Sequence, residues 1–487
     1  MHIIDIIVFA VFTIGVVVFG CSFFRRKSSA EEFTSAGRSL PGWVVGMSIF
    51  ATYVSSISYI GYPGKAFASD WNAFVFSLSI PIASYVAARW FVPFYRRSGS
   101  VSAYTFLEER FGRWARLYAS ACYLLTQVAR MGSILYLLAV PMYILMGWNL
   151  HAVIILTTIA VMVYSMLGGL RAVIWADAIQ GFILIGGALL CLAIILWSMP
   201  GGPWEAIQPA VDSPTGNKFS LGSFSADLTT STFWVCLIYG IFINLQNYGI
   251  DQNYVQRYHA AKTDHDARFS ALFGGWLFIP VSALFFLIGT ALYSYYAAGA
   301  APLPEDIADK PDYVFPYFIV NSLPTGLRGL LIASIFAAGM STVSTSVTSA
   351  ATIILTDYYK PLRRQDGPSD VLILRLSSAV IGMLGCLVAI AMLSVQSIID
   401  AWWTLSSIFS GGMLGLFLLG IIPRHIHRKA ALAGTLCGVL VIGWISLAGI
   451  WHLPGTHLHE YLAIVVGTTT IFVSGFLLSL FPGRRKR

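Results

Sequence analysis

The sequence predicts an all-α, polytopic membrane protein with about thirteen transmembrane helices. Of its 487 residues, 57% are hydrophobic and only 11% are charged. Apolar runs of about 20 residues, the length that a helix needs to cross a bilayer, recur along the whole chain. The predicted spans are 3–24, 42–66, 72–95, 116–145, 149–168, 173–198, 232–256, 269–298, 327–356, 371–395, 398–421, 430–452 and 460–482.

The first span, Ile3 to Phe24, is predicted to be retained rather than cleaved. A signal peptide begins with a positively charged segment, whereas here the positive charges of Arg25, Arg26 and Lys27 follow the apolar run. Compact loops and short termini favour a bacterial inner membrane, and therefore a plasma-membrane location.

Positive charge is concentrated in the loops that follow the odd-numbered spans, which predicts the orientation of the chain. Loops rich in Lys and Arg lie on the cytoplasmic side, so the N-terminus is expected outside and the C-terminus inside. This arrangement explains the net charge of +8 without a nucleic-acid partner. The residues concerned are Arg25, Arg26, Lys27, Arg38, Arg96, Arg97, Arg110, Arg113, Arg116, Arg171, Arg257, Lys262, Arg268, Lys360, Arg363, Arg364, Arg424, Arg428, Lys429 and Arg484 to Arg487.

Two spans are predicted to be broken. The second is interrupted at Gly61-Tyr62-Pro63-Gly64, and the seventh carries polar residues from Asn244 to Asp251. Interrupted helices at matching places in two halves are typical of inverted-repeat transporters, whose site lies between the halves. We therefore predict one transporter domain over 1–487, with repeats at 42–198 and 232–421. Residues 3–24 add an N-terminal helix, and 430–482 add two C-terminal helices.

The ninth span carries hydroxyl groups along one helical face. The residues concerned are Ser341, Thr342, Thr345 and Ser349. Thr345 is three or four residues from each of the others, which is the spacing of one helical face. Hard cations take oxygen ligands from carbonyl and hydroxyl groups as well as from carboxylates. We predict that residues 337–349 meet residues 50–65 of the second span at mid-membrane and that the two segments hold sodium.

Arg130 lies well inside the fourth span, where an arginine costs about 2.5–3.5 kcal/mol unless it faces a cavity or a partner. A guanidinium group is suited to bind the carboxylate of a solute through two parallel hydrogen bonds. The alternatives are an internal ion pair with Asp177 or Asp251, or a side chain that reaches to the membrane interface. Asp177 has two interpretations of its own, as a cation or proton site or as a helix-end charge paired with an arginine.

No sequence motif for nucleotide hydrolysis or enzyme catalysis is present. A P-loop, a GxSxG nucleophile motif and an HExxH metal motif are all missing from the sequence. We therefore expect no enzymatic activity, and transport driven by an ion gradient if it is driven at all.

Four segments resemble the sodium:solute symporter family, which includes sodium–glucose, proline, pantothenate, iodide and bacterial sialic acid carriers. They are GRSLPGWVVGMSIFATYVSSIS, YSMLGGLRAVIWADAIQG, NYGIDQNYVQRY and GLRGLLIASIFAAGMSTVSTSVTS, and together they cover Gly37 to Arg424. The resemblance implies a LeuT-type fold, with two inverted five-helix repeats. It also implies symport of sodium and a small solute by alternating access.

The resemblance further implies two sodium sites. The first would use the backbone carbonyls of Ala51, Val54 and Ala338 and the hydroxyls of Ser341 and Thr342. The second, found in the sialic acid carriers, would fall on Asp177, Ser341, Ser344 and Thr345.

The solute site is implied by similarity to the sialic acid carriers, in which an arginine of the fourth span pairs with the substrate carboxylate. Arg130 occupies that place. Tyr53 stands where those carriers have a small hydroxyl residue and Ser77 where they have glutamine, which implies a different solute or pose. The residues predicted to bind substrate are Arg130, Tyr53, Ser55, Ser56, Ser58, Ser77, Asn244 and Asn247.

Our leading hypothesis is a sodium-coupled importer of a carboxylated sugar such as sialic acid, functional as a monomer in the lipid bilayer. One alternative is a sodium-coupled carrier of neutral sugars or polyols, with Arg130 tied to an internal acid. Another is a membrane solute sensor built on the same fold.

Overall fold

The computed structural model describes residues 2–23, 30–214, 216–362, 369–395, 398–424, 426–448 and 458–480. These residues form helices and no β-strand, apart from one isolated bridge between Leu40 and Ala261. The principal helices are α1 (Ile3–Ser22), α2 (Gly42–Tyr53), α3 (Ile57–Ala68), α4 (Asn72–Ser98), α5 (Thr105–Phe111), α6 (Arg113–Met146), α7 (Leu150–Val163), α8 (Gly169–Trp197), α9 (Phe233–Ile250), α10 (Gln252–Ala260), α11 (Asp264–Ala297), α12 (Pro311–Ser322), α13 (Leu327–Ile353), α14 (Ser369–Ala391), α15 (Ile398–Ile421), α16 (Arg428–Ala448) and α17 (Ala463–Leu480).

The predicted spans all correspond to helices in the described part of the chain. Eleven helices are long and apolar enough to cross a membrane, and the bent pair α2–α3 provides a twelfth span. The predicted fifth span is the shorter α7, which a kink at Gly169 (φ 60°) separates from α8. Predicted span ends at residues 24, 449–452 and 481–482 lie outside the described residues, as do Arg25, Arg26, Lys27, Arg363, Arg364 and Arg484 to Arg487 of the loop-charge pattern.

The second span is broken, but not where its sequence predicts. Helix α2 ends at Tyr53, Val54 is extended (ψ 111°), and α3 begins at Ile57 with a bend of 57°. The prediction that Gly61-Tyr62-Pro63-Gly64 forms the break is wrong, since these residues are helical. The lack of a Cβ atom at Gly64 permits close packing instead, because a Cβ atom there would lie 2.7 Å from the Pro311 carbonyl oxygen.

The seventh span is also broken, at a single residue. Asp251 is extended (φ −76°, ψ 129°) between α9 and α10, and its carboxylate caps α10 by accepting from the Asn253 N–H at 2.7 Å. Asn244 and Asn247 belong to the regular helix before the break. The predicted pair of broken spans is therefore present, with the second break confined to the inner end of the polar segment.

One of the charges assigned to the predicted loops is fully buried between helices. Arg257 lies in α10 and its side chain is fully buried. After the break at Asp251 the chain continues as a helix packed against α2, α11 and α13, so its polar residues are enclosed by protein. The prediction that Arg257 contributes to a positively charged loop is wrong for this reason.

Helices α3 and α11 are in close contact after the break in the second span. A Cβ atom at Gly289 of α11 would lie 2.2 Å from the carbonyl oxygen of Pro63 in α3. We expect Gly289→Ala to lower the unfolding temperature of the purified protein, because overpacking a buried contact costs about 1–3 kcal/mol.

Gly186→Ala is the matched control, since a Cβ atom at Gly186 of α8 meets no atom within 4 Å. Thermal unfolding followed in detergent should leave this variant equal to the wild type or slightly more stable. Equal unfolding temperatures for the two variants would contradict the close contact between α3 and α11.

Candidate functional site

The broken ends of the second and seventh spans border a small internal cavity of about 50 Å³. Its lining comes from α2 and α3, from α6, from the inner part of α9 and from α15. Most of the lining side chains are hydroxyl-bearing, amide or aromatic. They are Tyr53, Ser55, Ile57, Ser58, Tyr62, Phe76, Thr126, Gln127, Arg130, Tyr239, Ile243, Asn247, Asp251, Trp402, Trp403 and Ser406.

Arg130 is the cationic side chain of this lining, and it is half-buried. Its Nη2 group donates to the Thr52 carbonyl oxygen at 2.6 Å, in the last turn of α2 before the break. Within the described residues, neither Asp177 nor Asp251 lies within the 4.0 Å of an ion pair with Arg130. The guanidinium group therefore lies in the cavity lining near the Tyr254 hydroxyl and the Asp251 carboxylate, without an ion-pairing contact to either acid.

Asp251 is the carboxylate in the cavity lining, and neighbouring polar groups engage it instead of Arg130. Its Oδ2 atom lies 3.5 Å from the Gln127 amide nitrogen, while the cap of α10 takes Oδ1. The Gln127 amide oxygen accepts from Asn253 at 3.1 Å, which ties α6 to α10. The cavity thus contains one cation and one anion, held apart by amide groups.

The residues predicted to bind solute are only partly brought together. Five of them line the cavity: Arg130, Tyr53, Ser55, Ser58 and Asn247. The other three have partners elsewhere. Ser56 donates to the Ile134 carbonyl oxygen at 3.2 Å, Ser77 bonds to Ser282 at 2.7 Å, and Asn244 accepts from the Tyr53 hydroxyl and donates to Ser79 at 2.8 Å.

Sequence reasoning missed the contribution of α15. Trp402, Trp403 and Ser406 line the cavity from that helix. Their spacing of one, three and four residues puts them on one helical face. Two adjacent tryptophans close to a serine were a usable signal of an aromatic cavity lining with a polar group beside it. The Trp403 ring packs against Phe76 with ring centroids 5.0 Å apart.

The first predicted cation site lies where α2 ends. The last carbonyl groups of a helix lack partners in their own helix, and here they belong to Ala51 through Val54. Helix α13 packs against this end, and its Thr342 hydroxyl donates to the Ala338 carbonyl oxygen at 3.2 Å. The carbonyl and hydroxyl oxygens predicted for a cation are therefore on adjoining, buried elements.

The second predicted cation site contains a positively charged side chain that the sequence did not reveal. Arg257 Nη2 donates to Asp177 Oδ2 and to Thr345 Oγ1, both at 2.7 Å. Asp177 Oδ1 accepts from the Ser341 hydroxyl at 2.6 Å, while Ser344 donates to a carbonyl of its own helix. Three of the four predicted ligands thus converge on one point, where the guanidinium group of Arg257 supplies the cation.

Ser48 joins the two cation sites to each other. Its hydroxyl donates to Asp177 at 2.6 Å and accepts from Arg257 Nε at 2.8 Å. Ser48 lies on α2, one turn before Ala51, so its hydroxyl connects Arg257 and Asp177 to the helix that carries the first site. Sequence patterns gave no signal for this link, because the residues involved are 80 or more positions apart.

An ion pair joins the end of α3 to the start of α15. Lys65, near the end of α3, lies 3.0 Å from Asp400 at the start of α15. The Tyr461 hydroxyl donates to the same carboxylate at 2.7 Å. Both charged side chains are about one-third exposed, so the pair is solvated and can open at small cost.

These features together define a class of protein. A polytopic helical bundle with two broken spans, a polar cavity between them and buried carbonyl, hydroxyl and carboxylate oxygens beside it is a secondary transporter. The model of the sodium:solute symporter family matches residues 33–438. The chain belongs to the sodium:solute symporter family, and it is a sodium-coupled transporter rather than an enzyme.

Two relatives illustrate the range of this family. The sodium/sialic acid symporter NanT from Aliivibrio fischeri is 31% identical over 95% of this chain and 90% of its own length. The human sodium-coupled monocarboxylate transporter 2 is 30% identical over 93% of this chain and 74% of its own.

A solved structure of a Na⁺-coupled sialic acid symporter in a substrate-bound, outward-open state has the same fold. It superimposes with a TM-score of 0.89 at 29% identity and covers 98% of both chains. This likeness confirms the predicted LeuT-type fold with its inverted repeats, and sodium as the coupling ion.

Proposed function

We propose that this transporter imports a small organic acid together with sodium, and that its solute is a carboxylated sugar such as sialic acid. The observation that carries the proposal is Arg130, a cation in the cavity without an acidic partner within ion-pairing distance among the described residues. A half-buried guanidinium group in a cavity favours an anionic solute, because a carboxylate satisfies its donors and its charge at once. Sialic acid is the solute named for two relatives of this chain.

The rest of the cavity fits a polyhydroxylated acid. Ser55, Ser58, Gln127 and Asn247 offer hydroxyl and amide groups around Arg130. Trp402 and Trp403 offer flat apolar faces, on which a sugar ring can stack. An acid that also carries hydroxyl groups uses more of this lining than a simple anion does.

A smaller monocarboxylate is the second candidate, and Tyr53 favours it. The Tyr53 ring lies in the cavity, where its hydroxyl donates to Asn244 and its ring packs 4.7 Å from Phe278 between centroids. This side chain takes up room at the place of a smaller residue. The monocarboxylate transporters among the relatives support an acid of that size.

One uptake experiment separates the candidate solutes. Proteoliposomes containing the full chain are loaded with sodium or potassium, and counterflow of labelled sialic acid, lactate and a neutral hexose is measured. Sialic acid counterflow that requires sodium supports the leading proposal, and lactate counterflow supports the second. Hexose counterflow alone would indicate a neutral-sugar carrier, and no counterflow with sodium-dependent thermal stabilisation would indicate a sensor.

We also propose that sodium binds at two positions. The first comprises the carbonyls of Ala51, Val54 and Ala338 with the hydroxyls of Ser341 and Thr342. The second comprises Asp177, Ser341, Ser344 and Thr345. Coupling requires only that sodium bind more tightly to the state that also binds solute well.

Arg257 acts, in this proposal, as a tethered cation at the second position. Its 2.7 Å contacts to Asp177 and Thr345 use the oxygens that sodium would need. Like charges repel strongly at such distances inside a protein, so sodium and the guanidinium group compete for Asp177. Entry of the second sodium therefore requires Arg257 to withdraw toward Asn253, whose carbonyl already accepts from its Nη1 at 2.8 Å.

The first sodium position is tested by Thr342→Ala. The variant removes one of five oxygen ligands, and we expect the sodium concentration for half-maximal uptake to rise about tenfold. Thr348→Ala is the matched control, because Thr348 is a buried threonine of the same helix whose hydroxyl donates to a carbonyl of that helix. Equal sodium dependence in the two variants would contradict the assignment of Thr342.

The orientation, location and assembly are proposed from the sequence pattern. The N-terminus is outside, the C-terminus is in the cytoplasm, and the membrane is a bacterial inner membrane. One chain contains both broken spans and the whole cavity, which supports a monomer as the transporting unit.

A further inference from the structure

A second large groove lies away from the cavity, at the end of the bundle that carries most of the arginine-rich loops. The groove, about 420 Å³ in volume, separates the end of α4 from the end of α15 and from the short helix α5. Its wall is almost entirely apolar and aromatic, with one cation. The lining residues are Trp90, Phe91, Phe94, Phe106, Arg110, Gly420, Ile421, Ile422 and Pro423.

The groove opens toward the bilayer rather than toward the solute cavity. Trp90 is 58% exposed and Ile421 is 48% exposed, and each lies near the end of a membrane span. A tryptophan at such a place sits at the level of lipid headgroups. In a membrane, lipid acyl chains cover the exposed apolar surface of these side chains, because neither water nor a polar loop offers it an apolar contact.

Arg110 closes one end of the groove with part of its hydrogen-bonding capacity unused. Its Nη2 group donates to the carbonyl oxygens of Ile422 and Arg424, which fixes α5 to the end of α15. Its Nε group is buried and has no hydrogen-bond partner in the described part of the protein. A buried donor of a charged group without a partner is costly, and an anionic oxygen in the groove would remove that cost.

The surface around Arg110 carries an excess of positive charge. The Arg428 side chain lies over Gly112, where a Cβ atom would be 3.7 Å from its guanidinium carbon. Arg113, Arg424 and Lys429 are exposed nearby in the chain, and none of these cations forms an ion pair with a described acid. Of the two acids on α5, Glu108 bonds to Arg116 at 2.7 Å and Glu109 is exposed.

We propose that this groove binds an anionic phospholipid, with an acyl chain among the aromatic residues and the phosphate beside Arg110 and Arg428. The aromatic lining of the groove suits the acyl chain of such a lipid, and the two arginines suit its phosphate. Each cation near a headgroup favours an anionic over a zwitterionic lipid by about fivefold. The proposal depends on the orientation proposed above only in assigning the site to the cytoplasmic leaflet.

The test uses the full chain in detergent with phospholipids brominated on their acyl chains, which quench nearby tryptophan fluorescence. We expect brominated phosphatidylglycerol to quench the wild type more than Trp90→Phe. Brominated phosphatidylcholine at the same mole fraction should show no such difference. Arg428→Gln should weaken the phosphatidylglycerol effect about fivefold.

Arg268→Gln is the control, since Arg268 is an exposed arginine near the start of α11, on the same predicted side. Arg428 is preferred to Arg110 as the test residue, because Arg110 also holds two backbone carbonyls. Equal quenching of Trp90 by both lipids would overturn the headgroup assignment. Loss of the phosphatidylglycerol effect in millimolar inorganic phosphate would show a site for free phosphate instead of a lipid.

Discussion

Replacing Arg130 with lysine or alanine is expected to abolish sodium-driven uptake of an acidic solute. Alanine removes the charge, and lysine keeps it but loses the planar group that forms two parallel hydrogen bonds with a carboxylate. Losing one partner of a buried charge pair costs about 2–5 kcal/mol, so apparent affinity should fall at least about 30-fold. The measurement is concentration-dependent uptake in proteoliposomes, with folding checked by thermal unfolding.

The same variants provide their own control through the choice of solute. If Arg130 binds the solute carboxylate, binding of the corresponding neutral amide or alcohol should change little. Gln127→Ala alters another polar group of the cavity without removing a charge, and its effect on acid uptake should be much smaller. Acid uptake by Arg130→Lys within a few-fold of the wild type would contradict the carboxylate interaction.

Arg257→Gln is expected to make the stability of the protein depend on sodium. The substitution leaves Asp177 buried without its ion-pair partner, which costs about 3–5 kcal/mol. Sodium can then occupy the vacated position between Asp177 and Thr345 and restore part of that stability. The unfolding temperature of the variant should rise more steeply with sodium, at constant ionic strength set with choline, than that of the wild type.

Arg116→Gln is the matched control for this experiment. Arg116 forms an ion pair of the same length, 2.7 Å, with Asp357, whose side chain is also fully buried. Its loss should destabilise the protein, yet the hydroxyls beside Asp357 come from Ser102, Ser120 and Thr356, and no sodium ligand is proposed there. If sodium raised the unfolding temperature of both variants equally, a specific second site would be contradicted. The same conclusion would follow if sodium raised the unfolding temperature of neither variant.

Sequence reasoning was most successful where one physical requirement acts on a continuous stretch. A span must be long and apolar to cross a bilayer, so the order of the helices was predicted almost completely, with α7 shorter than expected. The hydroxyl stripe on α13 was visible because helical spacing alone puts Ser341 and Thr345 on one side. The motif resemblance then supplied the family, which the comparison with known proteins confirmed.

The position of the break in the second span needed the tertiary structure. Glycine and proline at 61–64 are helix-breaking types, but a neighbouring helix compensates for them: Gly64 permits the approach of Pro311, and Pro63 lies at the first turn of a helical segment. The real break at Val54 has no breaking residue. It is stabilised from outside, by Arg130 on the adjacent Thr52 carbonyl.

The sequence by itself determined that this chain spans the membrane, that it carries a mid-membrane arginine, and that its hydroxyl groups suit a hard cation. Only the tertiary structure decided which charges neutralise each other: Asp177 pairs with Arg257 from α10, which leaves Arg130 to the cavity. The physical reason is that composition and periodicity act along one helix. A charge pair between distant helices depends instead on how those helices are rotated and packed, and no local pattern encodes it.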